Sequence, residues 1–318
     1  MAMNTRISPK SLRLAVSVVA GALALLILLF VLINLGKILT IKSYARRAVE
    51  PQRGQSEVVR FLSDGRLLVG DLLIPEADPH GYVVFAHGSR PAGRDHLLPR
   101  QLVPLLSRNY VVLAFDFRGY GESEGLGPYE RGMTLDFSPD ITAAVEYLSA
   151  RFGTPEDEVV LIGHSFGSLS VLLASRELAT GRVVAIGAGD PERLFDSRES
   201  ANHEMNKLSK LGLEVPVEEV KALYRPLFAD NLLARCFPGR TTLISGEFES
   251  GLSTLSSYVE GLNDRCGSEI EVVIVPSVGH MIWTEQRGDW KFRFLSIFVD
   301  EDEWIRALAG VILENLEH

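Results

Sequence analysis

Residues 163–167 read Gly-His-Ser-Phe-Gly. Ser165 stands between two glycines, after the apolar run 159–162 and before an apolar stretch rich in small residues. A serine at the tip of a very tight strand-to-helix turn sits in a strained backbone conformation. Its neighbours two positions away are then crowded, and only a residue without Cβ fits comfortably. The hydroxyl is pushed clear of the sheet, at a helix N-terminus whose N–H groups favour a developing negative charge. Those are the needs of an acyl-transfer nucleophile, and the pattern is the G-x-S-x-G elbow. The pentapeptide alone is weak evidence, because a glycine-rich turn can contain a serine by chance. The strand before it and the helix after it supply the required context.

A serine hydroxyl needs a general base, an acid to orient that base, and donors for the oxyanion. Of the seven histidines, His280 is the best base, in Pro276-Ser277-Val278-Gly279-His280 just past the last apolar strand. In a parallel sheet that is the edge where Ser165 lies. His203 falls in a polar stretch, His164 is expected to point away from Ser165 and be structural, and His80, His96 and His318 have no favouring context. For the acid, Gly246-Glu247-Phe248-Glu249 follows an apolar strand and offers Glu249 and Glu247, with Asp190 after another strand as a third choice. For the oxyanion, the backbone N–H of Ser89 in His87-Gly88-Ser89 can pair with that of Phe166, the residue after the nucleophile.

These residues must be positioned by a scaffold. Apolar runs at 58–62, 66–74, 82–86, 110–115, 158–162, 182–186, 241–245 and 270–275 read as strands. Segments 97–106, 140–152, the stretch after Ser165 and 307–316 read as helices. Ser63-Asp64-Gly65 is a hairpin signal between the first two strands. Buried strands alternating with helices predict an α/β domain over residues 56–318, with a mostly parallel central sheet covered on both faces and an antiparallel edge from the hairpin. Polar residues at about 190–235 break the rhythm and are expected to form a small lid insertion over the strand ends.

With HGS at 87–89, DFRGYGES at 116–123, GHSFG at 163–167, GEFE at 246–249 and VGH at 278–280, the chain from about 56 to 317 resembles the α/β-hydrolase fold family. The order nucleophile, acid, histidine is the family's order. The resemblance implies a serine hydrolase cleaving a carboxylic ester or related acyl bond of a small-molecule or lipid substrate, with no metal or organic cofactor. The family's acid usually falls at the fourth position of G-x-x-D, which here is Glu249. Glutamate there is a departure, and its longer side chain needs room. Serine as nucleophile disfavours the dehalogenases and epoxide hydrolases of this fold, which use aspartate. Amidase, peptidase and thioesterase chemistry stay open, as does a non-catalytic scaffold on the same fold. Arg118-Gly119-Tyr120-Gly121 matches a loop that is usually structural.

The N-terminus differs in kind. Residues 14–35 carry no charge and as a helix would span about 33 Å, enough for a bilayer core. No small-residue cleavage site follows, so a single uncleaved transmembrane anchor is expected, after a tail at 1–13 and before a tether at 36–55. Arg6, Lys10 and Arg13 on one side nearly balance Lys37, Lys42, Arg46 and Arg47 on the other, so the orientation is a tie. The net charge of −9 and the lack of a basic block argue against a nucleic-acid partner. Trp290, Phe292, Phe294 and Phe298 follow His280. They could line an acyl pocket or touch a membrane, and core packing is the simpler expectation. The two cysteines, Cys236 and Cys266, each precede a strand. Two free buried thiols are the default. Given the parallel neighbours that the resemblance implies, a bridge at the sheet edge opposite Ser165 is the alternative, and it would place the domain in an oxidising compartment.

Overall fold

The computed structural model describes residues 9–48, 54–88, 93–125, 136–188, 236–237, 239–247, 249, 252–267, 269–276 and 297–317. Among the described residues, eight strands form one sheet: β1 Gln55–Ser63, β2 Arg66–Ile74, β3 Gly81–Ala86, β4 Tyr110–Phe115, β5 Val160–His164, β6 Arg182–Ile186, β7 Arg240–Gly246 and β8 Glu269–Val275. Their order across the sheet is β1-β2-β4-β3-β5-β6-β7-β8. Strands β3 to β8 are mutually parallel, and β1 and β2 add the expected antiparallel edge. The hairpin turns at Asp64 and Gly65, both with positive φ, as its sequence predicts.

Strand side chains alternate between two apolar layers. Val84, Val111, Leu113 and Phe115 face α3 (Ser138–Phe152), α4 (Phe166–Leu178) and α5 (Leu252–Cys266). Val83, Phe85, Val112 and Ile162 face α2 (Leu97–Leu106) and α6 (Glu301–Glu317). The helix over 252–266 has no counterpart in the sequence reading. Its apolar positions Leu255, Val259 and Leu262 are separated by polar residues and form a narrow stripe. The lid expected at 190–235 lies outside the described residues.

The second apolar layer contains an unexpected member. Helix α1 runs unbroken over Pro9–Ala45, about 55 Å at the usual rise. Its apolar part is long enough to cross a membrane, with a mean hydropathy of 2.9 in the best window. The segment expected as a tether from residue 36 is instead helical to Ala45. Ile38, Ile41, Ala45 and Ala48 are buried in the core with α2 and α6. The spacing of Ile38, Ile41 and Ala45 puts them on one helical face, and Ala48 follows just past the helix end. Gly310 of α6 explains the close approach, since a Cβ there would collide with the Tyr44 carbonyl. Three ion pairs follow the contact: Lys37 with Glu247 at 2.7 Å, Lys42 with Glu303 at 3.1 Å, and Arg47 with Glu314.

Cys236 and Cys266 form a disulfide with Cα atoms 5.5 Å apart, so the default of two free thiols is incorrect. The parallel pairing of β7 and β8 brings the chain entering each strand to the same edge of the sheet, within bridging distance.

Candidate active site

Strand β5 is buried along its whole length, and α4 begins at Phe166. Ser165 joins them with φ +53° and ψ −115°. Two other described non-glycine residues have positive φ. Asp64 lies in the hairpin turn, and Ala179 is a left-handed cap of α4. Ser165 pairs its positive φ with a ψ far outside the left-handed helical well that Ala179 occupies, a strained conformation for a residue with a Cβ. It is held there by its N–H donating to the Ile186 carbonyl at 2.7 Å, and by its own carbonyl accepting from the Ser168 N–H at 3.0 Å. The flanking glycines have separate reasons. A Cβ on Gly163 would collide with the Gly167 backbone, and one on Gly167 would strike the carbonyls of Ala86 and His87 at the end of β3.

The loop after β3 therefore lies against the elbow. A Cβ built on Gly88 would sit 3.4 Å from the Ser165 Cβ and 3.3 Å from the His164 Nδ1. His87 fixes this loop from beneath. Its Nδ1–H donates to the Gly88 carbonyl at 2.6 Å, and its Nε2 accepts the Phe117 N–H at 3.1 Å. Those bonds define a neutral imidazole with one tautomer. Burial lowers its pKa to about 4, against the opposing pull of the Gly88 carbonyl and of Asp116.

A second clamp joins the same loop to the turn after β4. Arg94 is buried. Its backbone N–H donates to Asp116 Oδ1 at 2.8 Å, its guanidinium pairs with Asp116 and Glu122, and its Nε reaches Asp71 Oδ2 at 3.1 Å. Burial pushes the Asp71 carboxyl up, while Arg94 pulls it down. Sequence reasoning missed both His87 and Arg94 as supports. The available signal for Asp116 was a carboxylate directly following a fully apolar strand; nothing local marks Arg94. Arg118 is structural, as the loop resemblance implies. It donates from Nε to the buried Asp140 Oδ1 at 2.8 Å and from a terminal nitrogen to Ser63 Oγ at 3.0 Å, tying α3 to the hairpin.

The two described acid candidates are in different surroundings. Glu247 pairs with Lys37 of α1. Glu249 is half-buried and turns back toward its own strand end, with Oε2 3.4 Å from the Gly246 nitrogen. Both lie after β7, two strands from β5, on the carboxyl edge that also carries Ser165. Phe166 is buried, and its ring packs edge-on to Phe137 at 5.2 Å. Ser89, Asp190 and His280 lie outside the described residues. The strand that precedes His280, β8, ends on the same edge as β5 and β7.

The family model of the alpha/beta hydrolase family matches residues 83–313. Over 70 residues the chain is 44% identical to alpha/beta hydrolase domain-containing protein aho-3 of Caenorhabditis elegans, covering 22% of this chain and 20% of that protein. Over 93 residues it is 37% identical to lysophosphatidylserine lipase ABHD12 of Macaca fascicularis, covering 29% and 21% respectively. The matched stretches thus span only about a fifth of those relatives. Among solved structures, the Pyrococcus furiosus esterase Pf2001 aligns with a TM-score of 0.53 at 20% identity, over 76% of this chain and 91% of that one, a likeness of fold. With the elbow, the strand order and a family match that covers most of its length, the chain belongs to the alpha/beta hydrolase family.

Proposed function

We propose that this protein is a membrane-anchored serine hydrolase that cleaves carboxylic esters. Ser165 Oγ attacks the ester carbonyl carbon and gives its proton to His280. Glu249 orients the imidazole and stabilises its charged form. The oxyanion is bound by the N–H groups of Ser89 and Phe166, the latter a first-turn N–H with no acceptor inside its own helix. The imidazolium returns the proton to the leaving alkoxide, and water then releases the acyl group along the same path in reverse.

The observation that carries this reading is the backbone of Ser165. A non-glycine residue at φ +53° and ψ −115° is a costly conformation, and a structural turn at that position would favour glycine. The adjacency of Gly88 to Ser165 supports the assignment of the loop after β3 to the oxyanion. The pairing of Glu247 with Lys37 supports Glu249 over Glu247 as the acid. The disulfide supports a domain on the non-cytoplasmic side, where such bridges persist, with α1 as a single span.

The test is a fluorophosphonate probe on the full chain in detergent, with a panel of esters of increasing acyl length. Labelling of the wild type, and its loss in Ser165→Ala, is the expected result. A wild type that neither labels nor cleaves any ester overturns the reading.

A further inference from the structure

The three ion pairs between α1 and the domain give a direction. Lys37 and Lys42 of α1 and Arg47 in the turn just past its end meet, in order, Glu247 just past the end of β7, Glu303 in the first turn of α6, and Glu314 in its last turn. Helices α1 and α6 therefore run parallel. The C-terminus of α6 is at the amino edge of the sheet. The Leu316 carbonyl accepts from Arg182 at the start of β6, and Asn315 meets Thr242 near the start of β7. Followed toward its N-terminus, α1 thus passes the domain from the amino edge to the carboxyl edge, beyond which Asn34 is its last buried residue and residues 17–29 are exposed. The apolar run 14–35 continues beyond that edge, within the same unbroken helix.

Lys37 is the first charged residue after the run, so with residues 14–35 in the bilayer it would lie close to the boundary of the hydrocarbon core. Glu247, its partner, marks the same level on the domain. By sheet register His164 is level with Ile186 and Ile186 with Ile244, so Ser165 is level with Ser245. Glu247 stands about 7 Å beyond that level and two strand spacings, about 10 Å, to the side. A second observation falls on the same edge. Ile297 and Phe298, just before the N-terminus of α6, are 72% and 48% exposed. Core packing, the simpler expectation for Phe298, is not what the structure shows. Two large apolar side chains exposed beside the exit of a membrane helix fit a lipid surface.

We propose that the docking of α1 on α6 aims the carboxyl edge of the sheet, and Ser165 with it, at the membrane surface, so that the substrate is an acyl ester resident in that leaflet. This rests on residues 14–35 crossing the bilayer and on Ser165 as nucleophile. A lipid then reaches the serine by rising partway out of the leaflet, and water enters from the flanks.

The full chain is reconstituted in phosphatidylcholine vesicles, as wild type and with a flexible ten-residue Gly-Ser insertion between Leu35 and Gly36. Two esters are compared: p-nitrophenyl butyrate in the aqueous phase and 4-methylumbelliferyl oleate carried in the vesicles. The insertion is expected to leave turnover of the aqueous ester within twofold and to lower that of the vesicle-held ester at least tenfold. Equal turnover of the oleate ester in both forms overturns the proposal. A depth measurement that needs no activity accompanies it, with nitroxides at Phe298→Cys and, on the opposite edge, Asp157→Cys. Lipid contact is expected at 298 and bulk water at 157, and the reverse overturns the orientation. A wild type inactive on both esters, with the expected depths, overturns the hydrolase reading alone.

Discussion

The roles proposed for Ser165 and Glu249 differ in how much of them could be read from the sequence. Two glycines and a strand-to-helix change announce the serine, because the steric demand is local. The acid is chosen by what surrounds it, and Lys37 of a distant helix engages Glu247. If Glu249 orients His280, Glu249→Gln lowers kcat by roughly 10³–10⁴ while Glu247→Gln stays within a few-fold. Steady-state kinetics on one soluble ester distinguishes them, and the opposite order assigns the acid to Glu247. His87 makes a prediction about pH. Its pKa is about 4 in the folded protein and near 6.5 unfolded, so below 6.5 the unfolded chain binds the extra proton. Stability is full above pH 6.5 and falls as pH drops toward 4, by about 3 kcal/mol at most. Denaturant melts between pH 7 and 4 should show this slope, and His87→Gln should flatten it. An unchanged slope in the variant would place the titration elsewhere.

Among the elements, α2, β2, β4 and β6 coincide with their sequence readings, since each is bounded by residues that end a periodic pattern. Helix α1 does not. Gly36, four basic residues and Pro51 look like a tether, yet Ile38, Ile41, Ala45 and Ala48 repeat at helical spacing, and three of the basic residues have carboxylate partners. Burying Ile38 and Ile41 is worth about 1.5–3 kcal/mol each, against a domain stability of about 5–15 kcal/mol. The ion pairs are partly exposed and add little. A truncation at residue 50 should therefore give an aggregating domain with a markedly lower Tm, whereas a truncation at residue 35 should stay folded. Equal thermal melts for the two would mean that α1 only rests on the domain.

For the whole molecule, the mostly parallel sheet with its antiparallel edge was legible, because alternating buried strands and helices permit few topologies. The disulfide was not, since bridging depends on a Cα separation that sequence does not carry. It closes a loop of 30 residues of sequence separation, which by chain entropy stabilises the fold by about 3–4 kcal/mol. Reduction should lower the denaturation midpoint accordingly. Alkylation of the non-reduced protein from its native membrane should find no thiol. Two reactive thiols there would return the domain to a reducing compartment.

That bridge also governs what a protease can do. Arg265 is exposed immediately before Cys266. A cut between them divides the chain into one piece with Ser165 and Glu249 and another with His280 and α6. A covalent link between the pieces remains only if the new N-terminal Cys266 keeps its bond to Cys236. The nicked protein would then migrate as one band until it is reduced. The proposed nucleophile and base would belong to two polypeptides, both tethered through a helix α1 that only one of them carries.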